Sequence, residues 1–308
     1  MIALHDAIAD YLTMRRALGF KLQRPERLLG QFADYLNTTG TGTITTDAAL
    51  AWATLPADTN PSWWGMRLSA VRAFARHLHA LDPAHEVPPP GLLVTSSSRA
   101  VPYPFSDAEL AALMGAARGL SSQLRAITIE TIIGLLAVSG IRIGEALRLD
   151  RDNVDLVDGT LLVANTKFGK SRLVPLHASS VEALADYARH RDRLCTRVMQ
   201  ASFFVSQTGT RLLYSSFHVT WLDLVARAGL RPRSDSCRPR PHDLRHRFAV
   251  LTLLGWYRDG VDVAAAMPVL STYLGHAHPR HTYWYLSATP ELLALVVARL
   301  DDADGATS

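Results

Sequence analysis

At 308 residues, 48% apolar and 19% charged, the chain has the composition of a globular protein and the length for two domains, each with its own core. Two cysteines cannot staple a secreted scaffold or fill a four-thiolate zinc site, and the longest apolar run, 127–143, is interrupted by Glu130 and Arg142, too soon for a membrane span. The net charge of +4 is small, so the placement of the 32 basic side chains matters more than their excess over 28 acidic ones. The opening Met-Ile-Ala-Leu-His-Asp puts polar groups where an export signal needs apolar ones, and a cytoplasmic, reduced setting is expected.

Residues 1–88 read as a helical domain. Leu12, Leu18, Leu22, Leu28, Leu29, Phe32 and Leu36 recur at helical spacings, and 64–81 is a long amphipathic stretch carrying Arg67, Arg72 and Arg76. The Gly/Thr-rich 38–46 interrupts the pattern. Prolines at 88, 89, 90, 102 and 104 flank a Ser-Ser-Ser tract, so 89–104 is expected to be an extended linker.

The second domain, 105–308, opens on a capping box, Ser106 with Glu109. A buried helix is expected over 124–139, ended by Gly140, and a short one over 142–149. The period then changes from helix to strand. Two β-type runs, 160–164 and 171–176, the first introduced by the Asp158-Gly159 turn, form a hairpin with Lys167 and Lys170 near its tip. After Pro175 the pattern is helical to the end, with Pro241 opening one helix and Thr289-Pro290-Glu291 a last one over 290–300. The fold class is mainly α with a small β-hairpin.

Arginines cluster at 15–27, 67–76 and 231–247, a distribution suited to a polyanion because guanidinium pairs bidentately with phosphate. Four segments carry the remaining chemistry. They are Arg142-Ile-Gly-Glu145 at a helix start, the hairpin Thr166-Lys167-Phe-Gly-Lys170, Pro241-His242-Asp-Leu-Arg245-His246 with His242 and Arg245 one turn apart, and Leu274-Gly-His276 with Tyr285 nine residues on. Singly, each has an ordinary structural explanation. His242, His246, His276 and His278 could also serve a metal-dependent hydrolase, but the first pair lacks the glutamate of a zinc-protease helix.

In this order and spacing the segments resemble the tyrosine recombinase (phage integrase) family, of the Xer and transposon-integrase type, over the whole second domain. The resemblance implies a two-domain architecture, a helical core-binding domain followed by a mixed α/β catalytic domain. It also implies a site-specific recombinase that breaks and rejoins DNA by transesterification through a 3′-phosphotyrosyl link. Arg142, Lys167, His242, Arg245, His276 and Tyr285 would be its catalytic residues. Glu145 would orient them. Lys170 rivals Lys167 as the acid on the leaving oxygen, and Tyr283 competes with Tyr285, which the spacing from His276 selects. Arg67, Arg72, Arg76, Lys170 and Arg240 are DNA-binding candidates.

No metal or other cofactor is expected, because two guanidiniums can neutralise a phosphate in transfer. The implied partners are double-stranded DNA, further copies of the chain in a tetrameric synapse and accessory recombinase subunits, in the nucleoid and not at a membrane. A type IB topoisomerase and a catalytically silent DNA-binding subunit are the alternatives.

Overall fold

The computed structural model describes residues 4–94, 100–164, 171–195, 200–276, 278–287 and 292–294. They fall into two compact units, Met1–Ala100 and Val101–Ser308.

The first unit holds α1 (Leu4–Ala17), α2 (Gln23–Thr39), α3 (Thr46–Thr54) and α4 (Pro61–His79). Local chemistry sets their ends. Gly40, at φ 71°, closes α2, and the Asn60 side chain accepts from the Ser62 N–H ahead of α4, whose first residue is proline. Leu28, Leu29, Phe32 and Leu36 of α2 pack with Trp52 and with Leu68, Val71 and Phe74 of α4.

Two of the three α4 arginines belong to this interior, which corrects the expectation that they face DNA. Arg67 and Arg72 are each only 7% exposed. Arg67 donates to the Trp52 carbonyl at 2.6 Å with its guanidinium over the Trp52 ring, and Arg72 donates to the Pro88 and Pro89 carbonyls at 2.7 and 2.8 Å. Long cations on a helix face cover apolar surface as readily as they face water. Arg76 is exposed.

The stretch expected to be an extended linker has no helix or strand among its described residues and is docked at both described ends. Arg72 holds Pro88 and Pro89, and Leu93 packs on the first core. On the other side Tyr103 and Phe105 are buried in the second unit, and the Pro102 carbonyl accepts from the Cys237 thiol. Residues 95–99 lie outside the described residues.

In the second unit the expected capping box starts α5 (Asp107–Arg118). Ser106 Oγ accepts from the Glu109 N–H, and the Glu109 carboxylate accepts from the Ser106 N–H. Helix α6 (Gln123–Ser139) is apolar on most sides and lies at the centre of the core. It ends at Gly140, φ 60°, where a Cβ would collide with the Phe248 ring. Helix α7 (Ile143–Ala146) is shorter than the expected 142–149.

Strands β1 (Val154–Asp155), β2 (Thr160–Val163) and β3 (Arg172–Pro175) form an antiparallel sheet in that order, with Leu161 opposite Val174 and Val163 opposite Arg172. The hairpin is as expected, while β1 is too short for a period to register. The tip, with Lys167 and Lys170, lies outside the described residues.

Beyond α8 (Ala178–Leu194) the chain is not helical throughout, contrary to expectation. Residues 200–213 pair through single bridges, Asp150 with Ser202 and Val205 with Arg211, and bury Phe203, Phe204 and Val205 before α9 (Tyr214–Arg227). A second irregular stretch precedes α10 (Pro241–Arg258). Helices α11 (Val263–Leu274) and α12 (Arg280–Tyr283) and a 3-10 turn, Trp284–Ser287, follow. Of the helix expected over 290–300, residues 292–294 are described, with Leu292 buried in the same cluster as Tyr285. Among the described residues no helix is long and apolar enough to cross a membrane.

Candidate active site

The turn after α6 places Arg142 one residue ahead of α7. Its backbone N–H donates to Glu145 Oε2 at 2.9 Å and its Nη1 donates to Oε1 at 2.8 Å. A second guanidinium grips the same carboxylate from the sheet, since Arg172 Nη2 donates to Oε2 at 2.9 Å. Burial pushes the Glu145 carboxyl up, but the Arg172 hydrogen bonds, the Arg142 N–H and the two positive charges outweigh it and pull the pKa down to about 2.

A carboxylate whose folded pKa lies below its ordinary value of 4.5 stabilises the fold above that pH, and the contribution is lost as pH falls from 4.5 towards 2. The shift corresponds to about 3 kcal/mol. Glu145→Gln should therefore lower stability near neutrality and flatten its fall across that acid window, read by chemical denaturation at stepped pH. An unchanged acid dependence in the variant would show that other carboxylates govern it.

Helix α10 supplies the next groups. Pro241 fills its first position, where the missing N–H is no loss. Arg240, just ahead, is paired with the fully buried Asp243 at 2.8 Å and also donates to the Val101 carbonyl. His242 is exposed on the first turn. Arg245, one turn further and 1% exposed, points inward, donating from Nη1 to the Gly140 carbonyl at 2.8 Å and from Nη2 to the Leu274 carbonyl at 2.6 Å. Its buried Nε has no hydrogen-bond partner among the described residues. Burial, then the charge of Arg142, lowers its pKa to about 10 against the opposing pull of Tyr285 and Glu145.

Helix α11 ends at Gly275, φ 68°, where a Cβ would sit 2.7 Å from Arg172 Nη1. His276 follows, with Nδ1 2.7 Å from the hydroxyl of the buried Thr282. Burial, then the positive charges of Arg245 and Arg142, depresses the His276 pKa to about 3, so the ring is neutral at physiological pH. In the tautomer protonated on Nε2, the Thr282 hydroxyl donates to Nδ1 and Nε2 is left as a donor.

Tyr285 is 2% exposed. Its ring stacks on His276, with centroids 6.0 Å apart, and meets His246 and Trp284 edge-on at 5.3 and 5.7 Å. His242 lies against His246 at 4.9 Å. Tyr283 is 48% exposed and outside this ring cluster.

The second unit thus gathers Arg142, Glu145, Arg245, His276 and Tyr285, with His242 at the rim. Arg172 and Thr282 join them without having been singled out, and so does His246, which the sequence offered only as a metal ligand. A signal existed for Arg172, because its period-2 spacing from the buried Val174 puts both on the inner sheet face. Among the described residues no three His, Cys, Asp or Glu side chains could hold a metal ion together.

An arginine-rich site closing on a buried tyrosine, on a helical domain with one small sheet, defines a class, and the model of the phage integrase family matches residues 105–291. The chain belongs to the phage integrase family, the tyrosine-type site-specific recombinases. It is 44% identical over 307 residues to the putative integrase/recombinase y4rB of Sinorhizobium fredii, covering 98% of each chain. It is 34% identical over 230 residues to the tyrosine recombinase XerD of Mycobacterium tuberculosis, covering 73% of this chain and 68% of that one. The fold is also that of the Tn1549 transposon integrase solved in complex with a circular intermediate DNA, at a TM-score of 0.66 and 16% identity, covering 97% of this chain and 100% of that one.

Proposed function

We propose that this recombinase cuts and rejoins double-stranded DNA through Tyr285. The tyrosine oxygen attacks a phosphodiester, the bond to the 5′-oxygen breaks, and a 3′-phosphotyrosyl link and a free 5′-hydroxyl result. A second strand's hydroxyl reverses the step, so bond energy is conserved. The observation that carries the reading is the stack of His276 on the buried Tyr285 ring, with Arg245 donating to the Leu274 carbonyl two residues before His276.

A tyrosine hydroxyl of pKa about 10 is a poor nucleophile at neutral pH unless positive charge and a proton acceptor assist it. Arg142 and Arg245 hold the non-bridging oxygens and offset the charge that grows in the transition state. The Nε of Arg245, without a hydrogen-bond partner among the described residues, is a donor kept for such an oxygen. His276 donates from Nε2 to the phosphate, His242 takes the tyrosine proton, and Lys167 or Lys170 on the hairpin protonates the leaving oxygen. Glu145 aims Arg142.

Trapping tests this directly. The chain is incubated with a nicked suicide duplex built from the DNA flanking its gene. A covalent adduct whose protease-released peptide carries DNA on Tyr285 is expected, while no adduct, or one on Tyr283, would overturn the assignment.

The two units share the DNA in the same reading, Arg76 and the basic residues of the first unit contacting phosphates of the duplex that the second unit cuts. Four protomers act across two duplexes in the nucleoid, with accessory recombinase subunits as partners of that assembly. Each phosphate neutralised adds about −0.9 to the log–log slope of affinity against salt. A chain lacking residues 1–88 should therefore bind the duplex more weakly and with a shallower slope by filter binding. An unchanged slope would remove the first unit from the interface.

A further inference from the structure

Arg172, on β3, belongs to none of the recognised segments' catalytic positions, yet its side chain is only 11% exposed and is held at three points. Its Nη2 and Nη1 donate to the two Glu145 oxygens at 2.9 and 3.3 Å, and its Nε donates to the Tyr273 carbonyl at 2.7 Å. The far side of Glu145 holds Arg142. The residues after Tyr273 are each engaged in turn. The Leu274 carbonyl accepts from Arg245, Gly275 has no Cβ because Arg172 Nη1 fills that space, and His276 faces Tyr285.

We propose that Arg172 is a positioning residue for strand cleavage, whose planar guanidinium sets the distance between Arg142, held through Glu145, and the 273–276 turn that holds Arg245 and presents His276. This rests on the reading of the site given above. The geometry needs an arginine. Only a rigid fork with five N–H groups reaches a carboxylate on one edge and a backbone carbonyl on another, and an ammonium cannot span both. The position of β3 is itself anchored, since Arg172 pairs with Val163 in the hairpin register. Arg142 and the 273–276 turn therefore share one ruler attached to the sheet.

Without it both phosphate-gripping groups keep their charge and lose their relative placement. A misplacement of about 1 Å costs on the order of 10²-fold in rate. A buried ion pair that only stabilises the fold would affect melting and leave the cleavage step of the folded fraction intact.

The test uses the full chain as Arg172→Met and Arg172→Lys, with the nicked suicide duplex made with either a phosphate or an uncharged methylphosphonate at the scissile position. Adduct rate, duplex affinity by gel shift and thermal melting are read together. With phosphate, Arg172→Met should form adduct about 10²-fold more slowly at unchanged duplex affinity, and Arg172→Lys should recover only part of the loss. With methylphosphonate the deficit relative to the unaltered chain should narrow by about tenfold, because a charged oxygen that the misplaced guanidiniums must hold is gone. Gly275→Ala, whose added carbon displaces Arg172, should reproduce the pattern.

If Arg172→Met does not fold, Arg172→Lys, which keeps a cation and a donor, carries the same comparison. Rates equal to the unaltered chain, or one deficit common to both substrates, would overturn the proposal. Arg142→Ala on the same two duplexes separates the premises. Full activity in Arg142→Ala defeats the reading of the site, whereas an impaired Arg142→Ala relieved by methylphosphonate, beside an unaffected Arg172→Met, defeats the role of Arg172 alone.

Discussion

Tyr285→Phe is expected to abolish the covalent DNA adduct while leaving the fold and duplex binding intact. The substitution removes one oxygen and nothing else. The ring keeps its stack on His276 and its edge contacts with His246 and Trp284, and it stays in the cluster formed by α10 and α11 with Leu292. The attacking atom has no substitute nearby. Tyr283, two residues away, is half exposed on α12 and outside the ring cluster, so moving its oxygen to the phosphate would require unpacking the buried Tyr285 and the turn around it. Burying an aromatic ring of this size is worth several kcal/mol at about 25 cal/mol per Å², which opposes that exchange. Gel-shift affinity equal to that of the unaltered chain, with no denaturant-resistant adduct, is the expected pair of results. Tyr283→Phe should retain the adduct. The opposite pattern would move the nucleophile to Tyr283.

The second large effect is expected at the two arginines, and the structure separates them. Arg142→Ala and Arg245→Ala should each slow strand cleavage by about 10²–10³, the usual consequence of deleting one preorganised donor to a transition-state oxygen. They differ in stability. Arg142 is 39% exposed in its side chain, and Glu145 keeps Arg172 when Arg142 is removed, so Arg142→Ala should melt close to the unaltered chain. Arg245 is buried, and its loss leaves the Gly140 and Leu274 carbonyls without their donors. Each buried acceptor left unmade costs about 1–3 kcal/mol, so Arg245→Ala should lose both activity and stability. Arg245→Lys keeps the charge but can reach only one carbonyl, giving intermediate stability and little activity. Single-turnover cleavage and urea denaturation on the same preparations test both arginines. An active alanine variant removes that arginine from the site, and an Arg245→Ala protein of full stability contradicts its bridging role.

Much of the second unit could be read before any coordinates, because the signals are local. The Ser106–Glu109 box, the helix-ending glycine at 140 and the proline opening α10 each act over four residues or fewer, and each is found where the pattern puts it. The hairpin followed from a change of period. The departures are of another kind. The irregular buried segment at 200–213 has apolar residues that a helix could equally have used, and its single bridges to Asp150 and between Val205 and Arg211 are set by where the core needs Phe203 and Phe204.

The helical class, the hairpin, the caps and the order of the arginine, histidine and tyrosine segments are legible in the chain alone, since these depend on neighbours within one turn or one strand pair. What each long cation does is set by tertiary packing. Arg67 meets its carbonyl acceptor across 15 residues, and Arg172 meets Glu145 across 27 and Tyr273 across 101. A guanidinium reads the same in sequence whether it faces solvent, a carboxylate or a backbone carbonyl. Which of these it meets is fixed by packing partners that local propensity does not encode, and that is why Arg67 and Arg72 left the list of DNA-facing residues while Arg172 and Thr282 entered the site.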